Sequence, residues 1–513
     1  MNPNPIIMQH NHLSFTQRHF FHAPGRILML LVLIYLGGFT ANATELHIGT
    51  ATADISPKLP VALMGQFNMR IAETAETPLY AGIVVVESKN GNQSLDTAVF
   101  ISGDLVQIAP QLLAELRSEV AKLLPGFNVN KIILSATHTH TAPVLENDPD
   151  KAFIYPIPKV GVVPVEDYRK LFTRNVADAI VKAWKSRGKG SVTWGLNRAA
   201  VGYNRRAVYK DGTTTMYGKT DRPDFQNLEG YEDHDVNSLF FWDAKGKLIA
   251  MSIDVACPAQ EFEHRVAVNA DYWHPVRQAL QKRFGADVSI LGWIGAAGDQ
   301  SPHSMYRKAG EARMQKLSNT TRMDDIAARI IRAAEDTYEV VKNDKHSDVA
   351  FSHKVETLKL PQRIITAAEY LDSKKVQEDC AAQIELDPKK APLLTAKMTW
   401  FGDVLKRYKK QQGDPNPVYE TEIHVLRIGD AAICTNQFEL FTDYGIRMQA
   451  RSKAVQTFVI QLTGPGTYLP SAKAITGGGY SAVCQSNIVG AEGGQILVDR
   501  TVEIMNGLWP EIK

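Results

Sequence analysis

Cysteine is scarce in this 513-residue chain. The four present, Cys257, Cys380, Cys434 and Cys484, are too few and too scattered for a disulfide framework. One bridge is compatible with an exported protein, but the spacing does not choose a pair. An excess of one charge is also lacking. Lys and Arg total 57 against 55 Asp and Glu, the net charge is +2, and no basic run stands out, so nothing points to nucleic acid or an anionic membrane surface. There is no HExxH string and no paired CxxC, which excludes the compact zinc motifs and leaves any metal to ligands from separated segments. Beyond residue 43 no apolar run approaches the ~20 residues of a membrane span. No internal repeat and no low-complexity linker divides the chain. What is there is ordinary globular composition, 44% hydrophobic and 22% charged, with length for a large core.

Residues 1–43 read differently. Arg18 and Arg26 precede the apolar run from Ile27 to Phe39, and Ala41-Asn42-Ala43 supplies a small-x-small cleavage pattern. The run is short for a span, so the leader predicts an exported, periplasmic or secreted protein, with an uncleaved anchor as the alternative. Residues 44–513 are expected to form a single α/β domain.

Within that domain the apolar periodicity predicts strands at Leu46 to Ile55, Gly82 to Glu87 and Thr97 to Ile101, the last two joined as a hairpin across Lys89-Asn90-Gly91-Asn92. A helix opening at Pro110 carries Leu112, Leu116 and Val120 on one face, and the strand Ile132 to Leu134 follows. A second helix spans about Asp167 to Trp184. The polar stretch from Arg205 to Asp235 reads as a long, site-covering loop. A hairpin of Ser238 to Trp242 with Leu248 to Val255 comes next, then a helix near Tyr272 to Arg283 and the strand Ser289 to Ile294. Helices fill much of Met323 to Tyr408, apart from a strand near Asp348 to Leu358. Strands at Thr421 to Leu426 and Ala431 to Cys434, a helix from about Phe438 to Ala450 and the strand Thr457 to Leu462 complete the reading.

The chemistry concentrates where the Ile132 strand opens into Ser135-Ala136-Thr137-His138-Thr139-His140-Thr141-Ala142-Pro143. On an extended backbone residues two apart point the same way, so His138 and His140 are expected to share a cleft at a strand's C-terminal end. An isolated His-x-His is more often a pair of surface or hydrogen-bonded histidines; the full Ser-x-Thr-His-Thr-His-x-x-Pro string is much harder to obtain by accident. It resembles the signature loop of the neutral ceramidases, the zinc-dependent N-acylsphingosine amidohydrolases.

That resemblance implies a role for each matching residue. His138 would bind zinc and His140 would lie at the substrate carbonyl. In Ile253-Asp254-Val255-Ala256-Cys257-Pro258, Cys257 stands where the family has a ligand histidine, and it is read as a thiolate ligand, a structural thiol, a sign of lost metal or a nucleophile. Gly298-Asp299-Gln300-Ser301-Pro302 resembles the string whose serine contacts substrate or attacks it. Glu439, in Asn436-Gln437-Phe438-Glu439-Leu440-Phe441-Thr442, matches a glutamate ligand; on its own it would read as a first-turn glutamate favoured by a helix dipole. Tyr468 in Gly466-Thr467-Tyr468-Leu469-Pro470 matches the tyrosine ligand, Tyr480 a second site tyrosine, and Arg205 in Asn204-Arg205 the arginine that lines the cleft. After Tyr480 only 33 residues follow, so the C-terminal immunoglobulin-like domain of the full ceramidases is not expected.

The fold expected is therefore α/β, mixed sheets with flanking helices. The function expected is zinc-dependent cleavage of an N-acyl amide bond, with one Zn held by His138, Cys257, Glu439 and Tyr468. His140, Tyr480, Ser301 and Arg205 would act on a small-molecule or lipid substrate that need not be ceramide. Two alternatives stand beside it: metal-free covalent catalysis through Cys257 or Ser301, and a non-catalytic exported binding protein.

Overall fold

Along the strand Tyr80–Asn90 the side chains alternate between two hydrophobic cores, Ile83 and Val85 entering one, Val84 and Val86 the other. A strand apolar on both faces must lie in a sheet covered on both sides. The computed structural model describes residues 44–151 and 153–509 and contains this sheet; the expected leader lies outside the described residues. Its eight strands are β1 (Glu45–Asp54), β2 (Tyr80–Asn90), β3 (Gln93–Gly103), β4 (Ile132–Ala136), β5 (Gly188–Arg198), β6 (Asp235–Asp243), β7 (Leu248–Val255) and β8 (Ser289–Ile294). They lie in the order β8-β7-β6-β5-β1-β2-β3-β4, with β3–β4 and β7–β8 parallel and the rest antiparallel. The expected hairpin is β2–β3, and Gly91 at its turn has φ 57°, a conformation that glycine adopts at no steric cost.

One face of this sheet carries the helices α1 (Pro110–Leu123) and α2 (Val165–Ser186), which bury Leu112, Leu116, Val120, Phe172, Val176 and Ile180 against Ile83, Val85, Val99 and Ile101. Further along, α3 (Trp273–Phe284) and α4 (Arg322–Val341) cover Met251, Ile253 and Val255 of β7. The opposite face meets a second sheet, β9 (Phe351–Pro361), β10 (Val418–Ile428), β11 (Ala431–Thr435) and β12 (Gln456–Ile460). Leu426, Ile428, Ala431, Ile433, Phe458 and Ile460 pack there on Val84, Phe100, Ile133 and Trp293. The helices α5 (Ala367–Leu386) and α6 (Ala391–Gln411) form a hairpin between β9 and β10. The helices α7 (Thr442–Ala450) and α8 (Ala491–Asn506) close the outer face of the second sheet through Tyr444, Met448, Leu497 and Val502. The result is four layers, helix, sheet, sheet and helix, as the mixed-sheet expectation required. No helix among the described residues is long and apolar enough to cross a membrane.

Three expectations change. The stretch from Arg205 to Asp235 is not a plain loop: Arg206–Tyr209 is the centre of a small sheet, flanked by Thr214–Met216 and Phe225–Leu228. Its polar composition misleads because Arg206 is fully buried on Glu229 at 2.5 and 3.0 Å. The helix expected from Phe438 starts at Thr442, because Glu439-Leu440 pairs in parallel with Tyr468-Leu469. All four cysteines are buried free thiols, so no bridge forms. The helix α8 was not foreseen; Gly493 and Gly494 weaken its local propensity, and Gly494 is required by Tyr444 Oη, 2.4 Å from where a Cβ would sit.

The contact between α1 and the second sheet runs through charge. Arg117 grips Glu422 of β10 at 2.6 and 3.1 Å, and His424 lies 3.0 Å from the same carboxylate. Burial would raise this carboxyl, but the hydrogen bonds and charges of His424 and Arg117 outweigh it and hold its pKa at about 2. A depressed carboxylate contributes stability that is complete above its unfolded value of 4.5 and is lost as pH falls toward 2. Glu422→Gln should therefore lower unfolding free energy by about 1–2 kcal/mol at pH 7, after discounting for partial exposure. Urea midpoints of the two proteins should converge between pH 4.5 and 2; a gap independent of pH would show that this ion pair is not its source.

Candidate functional site

The histidines meet by a kink rather than along an extended strand. His138 follows β4 with φ 63°, a left-handed conformation that a non-glycine residue adopts only under constraint. The constraint is visible on both sides. Thr139 and Thr141 donate to the Asn269 carbonyl at 2.7 and 2.6 Å, and Thr137 donates to Asp104, itself held by Arg277 at 2.6 and 2.8 Å. The rings of His138 and His140 are thereby left together, 4.8 Å between centroids and 3.3 Å between Nε2 atoms.

Hydrogen bonds fix which nitrogen of each ring faces inward. His138 Nδ1–H donates to the Val106 carbonyl at 2.6 Å, so Nε2 is the nitrogen that faces the site, 3.4 Å from Glu439 Oε2. The Gln260 amide turns its oxygen to Arg205 Nη1 at 3.4 Å and its N–H to His140 Nε2 at 2.7 Å. His140 Nδ1 then carries its proton, 3.9 Å from Glu263 Oε2 and 3.4 Å from the Gln66 amide. Burial, followed by the His138, Arg70 and Arg205 charges, holds His140 well below 6.5, so the ring is neutral. Arg70 ties the surrounding segments together by donating to the carbonyls of Met64, His140, Glu263 and Arg265 at 2.6–2.9 Å. Gly65, at φ 103°, lies flat against the His140 ring; a Cβ there would be 2.6 Å from it.

Glu439 reaches the histidines from the short strand that pairs it with Tyr468. Burial would raise its carboxyl, but His138 and then Arg205 outweigh it and keep the group below 4.5. The Tyr468 hydroxyl accepts from Arg205 Nη2 at 3.1 Å. Burial and the Glu439 charge push Tyr468 well above 10, so it is protonated here. Arg205 also donates to the Gly298 carbonyl at 3.0 Å and to Tyr217 Oη at 3.4 Å. Tyr217 in turn donates to Ser301 Oγ at 2.9 Å, and the His303 backbone N–H does so at 3.0 Å. The apolar side of the cleft is aromatic. Tyr480 stands edge-on to Tyr468 at 5.6 Å and continues to Trp400 of α6 at 5.6 Å and to Phe67 at 5.9 Å, with Phe153 5.1 Å beyond Phe67.

Seven of the eight residues singled out from the sequence thus fall into one connected nest: His138, His140, Arg205, Ser301, Glu439, Tyr468 and Tyr480. Cys257 does not join them as a ligand. Two tight turns, Cys257 N–H to the Val255 carbonyl at 2.8 Å and Gln260 N–H to the Pro258 carbonyl at 2.9 Å, follow β7. They direct the thiol to the Val201 carbonyl at 3.4 Å, inside the core, and present Gln260 to the site instead. Burial pushes the Cys257 thiol well above 9, which opposes a thiolate. The sequence reading missed Gln260, Tyr217, Glu263, Gln66 and Arg70; only the sequence proximity of Gln260 to the Cys257-Pro258 string offered a signal.

The donor set bears on a metal directly. Among the described residues no three His, Cys, Asp or Glu side chains are grouped to hold one. The atoms that do converge are His138 Nε2 and Glu439 Oε2, and the short parallel pairing of Glu439 with Tyr468 brings the tyrosine alongside. A ring whose other N–H is fixed on a main-chain carbonyl is the usual state of a ligating histidine. His138 and Glu439 thus present two ligating atoms to each other without Cys257.

Arg205 joins every branch of the nest. Arg205→Met should strand the acceptors that it now satisfies and remove a charge that helps keep the Glu439 carboxylate ionised, lowering stability by about 3 kcal/mol. Denaturant unfolding measures this; an unchanged midpoint would mean that the nest is held together by something else.

No protein-family model matches the chain, and no curated protein does. Solved structures do. Neutral ceramidase from Pseudomonas aeruginosa aligns at a TM-score of 0.63 and 16% identity, over 91% of this chain and 75% of that one. A ceramidase complexed with C2 aligns at 0.64 and 14%, over 90% of this chain and 75% of that one. The likeness is one of fold, and the chain has a neutral-ceramidase-like fold.

Proposed function

We propose that this protein is an exported amidohydrolase that cleaves an N-acyl bond with the help of one zinc ion. The observation that carries the proposal is the facing of His138 Nε2 and Glu439 Oε2 at 3.4 Å, with His140 Nε2 at 3.3 Å and the His138 tautomer fixed by Val106. His138, Glu439 and Tyr468 would hold the metal. Zinc bound there would act as a Lewis acid toward an acyl carbonyl and lower the pKa of a bound water.

The residues around it have distinct tasks. His140 is neutral, and its Nε2, which accepts from the Gln260 amide at 2.7 Å, would exchange that bond for the attacking water, take its proton and return it to the leaving amine. Burial raises Tyr480, so its hydroxyl keeps its proton and can donate to the oxygen that becomes negative. Ser301 Oγ accepts from Tyr217 and the His303 backbone, and no histidine ring or carboxylate is hydrogen-bonded to it. This favours a substrate-binding hydroxyl over a nucleophile. The aromatic wall of Phe67, Phe153, Trp400 and Tyr480 suits an apolar acyl chain, the part of a lipid amide that water would otherwise solvate.

Elemental mass spectrometry on the purified protein should find one zinc per chain in wild type and in Cys257→Ser, and none in His138→Ala. Hydrolysis of a panel of N-acyl amines should fall at least ~100-fold in His138→Ala. Zinc lost in Cys257→Ser would restore the thiolate ligand, and full activity in His138→Ala would end the proposal. Export is tested separately. Intact mass of the protein recovered outside the cytoplasm should place the mature N-terminus at Thr44; an N-terminus at Met1 would mean that the leader is retained.

A further inference from the structure

Surface helices normally turn an apolar side inward and their charges outward. The helix Lys308–Ser318 does the reverse. None of its 11 residues is buried, and the two that turn toward the protein, Glu311 and Gln315, are polar. Met314 and Leu317, one turn apart, are 58% and 65% exposed, and Tyr306 just before the helix is exposed as well. Among the described residues its side-chain hydrogen bonds are those of Ser318 with its own turn. The chain enters and leaves it through left-handed residues, Arg307 at φ 62° and Asn319 at φ 52°.

A helix of this length is marginal in water unless one face is packed. Charge marks what the missing partner is. Arg307, Lys308, Arg313 and Lys316 are all exposed, and among the described residues none of them is ion-paired with a carboxylate. Arg307 lies over the rings of Tyr203 and Tyr306, at 5.5 and 4.4 Å, rather than on an acid. The one acid of the helix, Glu311, is on its inner side. The net charge of the whole chain, +2, conceals this local excess.

We propose that the helix Lys308–Ser318 docks this protein on an anionic lipid surface, with Met314 and Leu317 entering the headgroup boundary while Arg307, Lys308, Arg313 and Lys316 meet the lipid phosphates. A helix lying in the interface, with basic flanks and a few large apolar side chains, gains from both terms at once. A nucleic acid would satisfy the same cations, but its backbone offers nothing to Met314 and Leu317. Lys308 is seven residues past Ser301, at most about 25 Å of chain, so the lipid surface is held beside the cleft. Docking there does not depend on the zinc centre.

The test is co-sedimentation of the purified protein with lipid vesicles. Phosphatidylcholine vesicles containing about one third phosphatidylglycerol should carry the protein down, pure phosphatidylcholine vesicles should not, and rising salt should weaken the binding. Lys308→Gln, Arg313→Gln and Lys316→Gln combined should bind the anionic vesicles at least about tenfold more weakly. Met314→Gln with Leu317→Gln should also lose about tenfold, which separates a bilayer from a purely ionic partner. Both variants replace exposed side chains, so their thermal midpoints should match wild type. His138→Ala should bind vesicles like wild type, so that loss of the zinc reading leaves this result standing. Equal binding to the two kinds of vesicle, wild-type binding by either helix variant, binding that falls with His138→Ala, or tighter binding of a single-stranded DNA oligonucleotide that ignores the Met314 and Leu317 changes would each overturn the proposal.

Discussion

A guanidinium cannot be neutralised by burial, because its pKa exceeds 12, so the chain around a buried arginine has to bring acceptors to it. Arg205 is 3% exposed and collects its acceptors from four separate segments: Tyr217, Gln260, Gly298 and Tyr468. Two of these acceptors are bonded onward, Tyr217 to Ser301 and Gln260 to His140. One charge therefore orients Tyr217, Gln260 and Tyr468, and through the first two Ser301 and His140. Such a network adds little net stability compared with an apolar filling, but it permits only one arrangement of the loops. The nearby Glu439 carboxylate lets the charge stay buried, and the arginine in turn helps Glu439 stay ionised.

The backbone answers to the same demand. β4, the edge strand of the eight-stranded sheet, is buried along its length, and the left-handed turn at His138 then redirects the side chains that follow it. That turn is unfavourable alone. It persists because Thr137, Thr139 and Thr141 are hydrogen-bonded on its far side, to Asp104 and to the Asn269 carbonyl. The threonines of the histidine string are thus not decoration between two histidines; they anchor the distorted backbone so that both rings can face one point.

How much of this was legible in the sequence depends on how local the cause is. The strands β2 and β3, the hairpin between them and the helix opening at Pro110 follow from period-two and period-3.6 patterns a few residues long, and they stand where expected. The histidine string was legible as a site because its residues are adjacent, although the extended geometry inferred for it was wrong. The strand carrying Glu439 was read as helix because its partner, Tyr468, lies 29 residues further on, and such pairings leave no local trace. The same holds for Arg206, whose buried partner Glu229 made a polar stretch into a small sheet. Gln260 and Tyr217 are single polar residues in loops, with nothing in their neighbours to mark them. Cys257 misled because a one-dimensional match fixes position along the chain but not the rotation imposed by the two turns that follow β7.

That rotation also explains why the polar nest lies beside a small acidic cavity walled by Asp233, Asp235 and Asp254. Parallel strands β7 and β8 end side by side, Val255 opposite Ile294, and their exposed ends must be covered by turns whose main-chain groups need partners. Gly295 N–H is satisfied by the Val255 carbonyl at 2.9 Å, and Gly298 N–H by the Leu440 carbonyl at 2.7 Å, so the second sheet's connections are drawn over the same spot. Side chains leaving these turns on one side reach the cleft, as Gln260 and Ser301 do. Asp254, one residue short of the end of β7, points the other way, as strand alternation demands, into the space between the sheets. Its Oδ1 has no hydrogen-bond partner there.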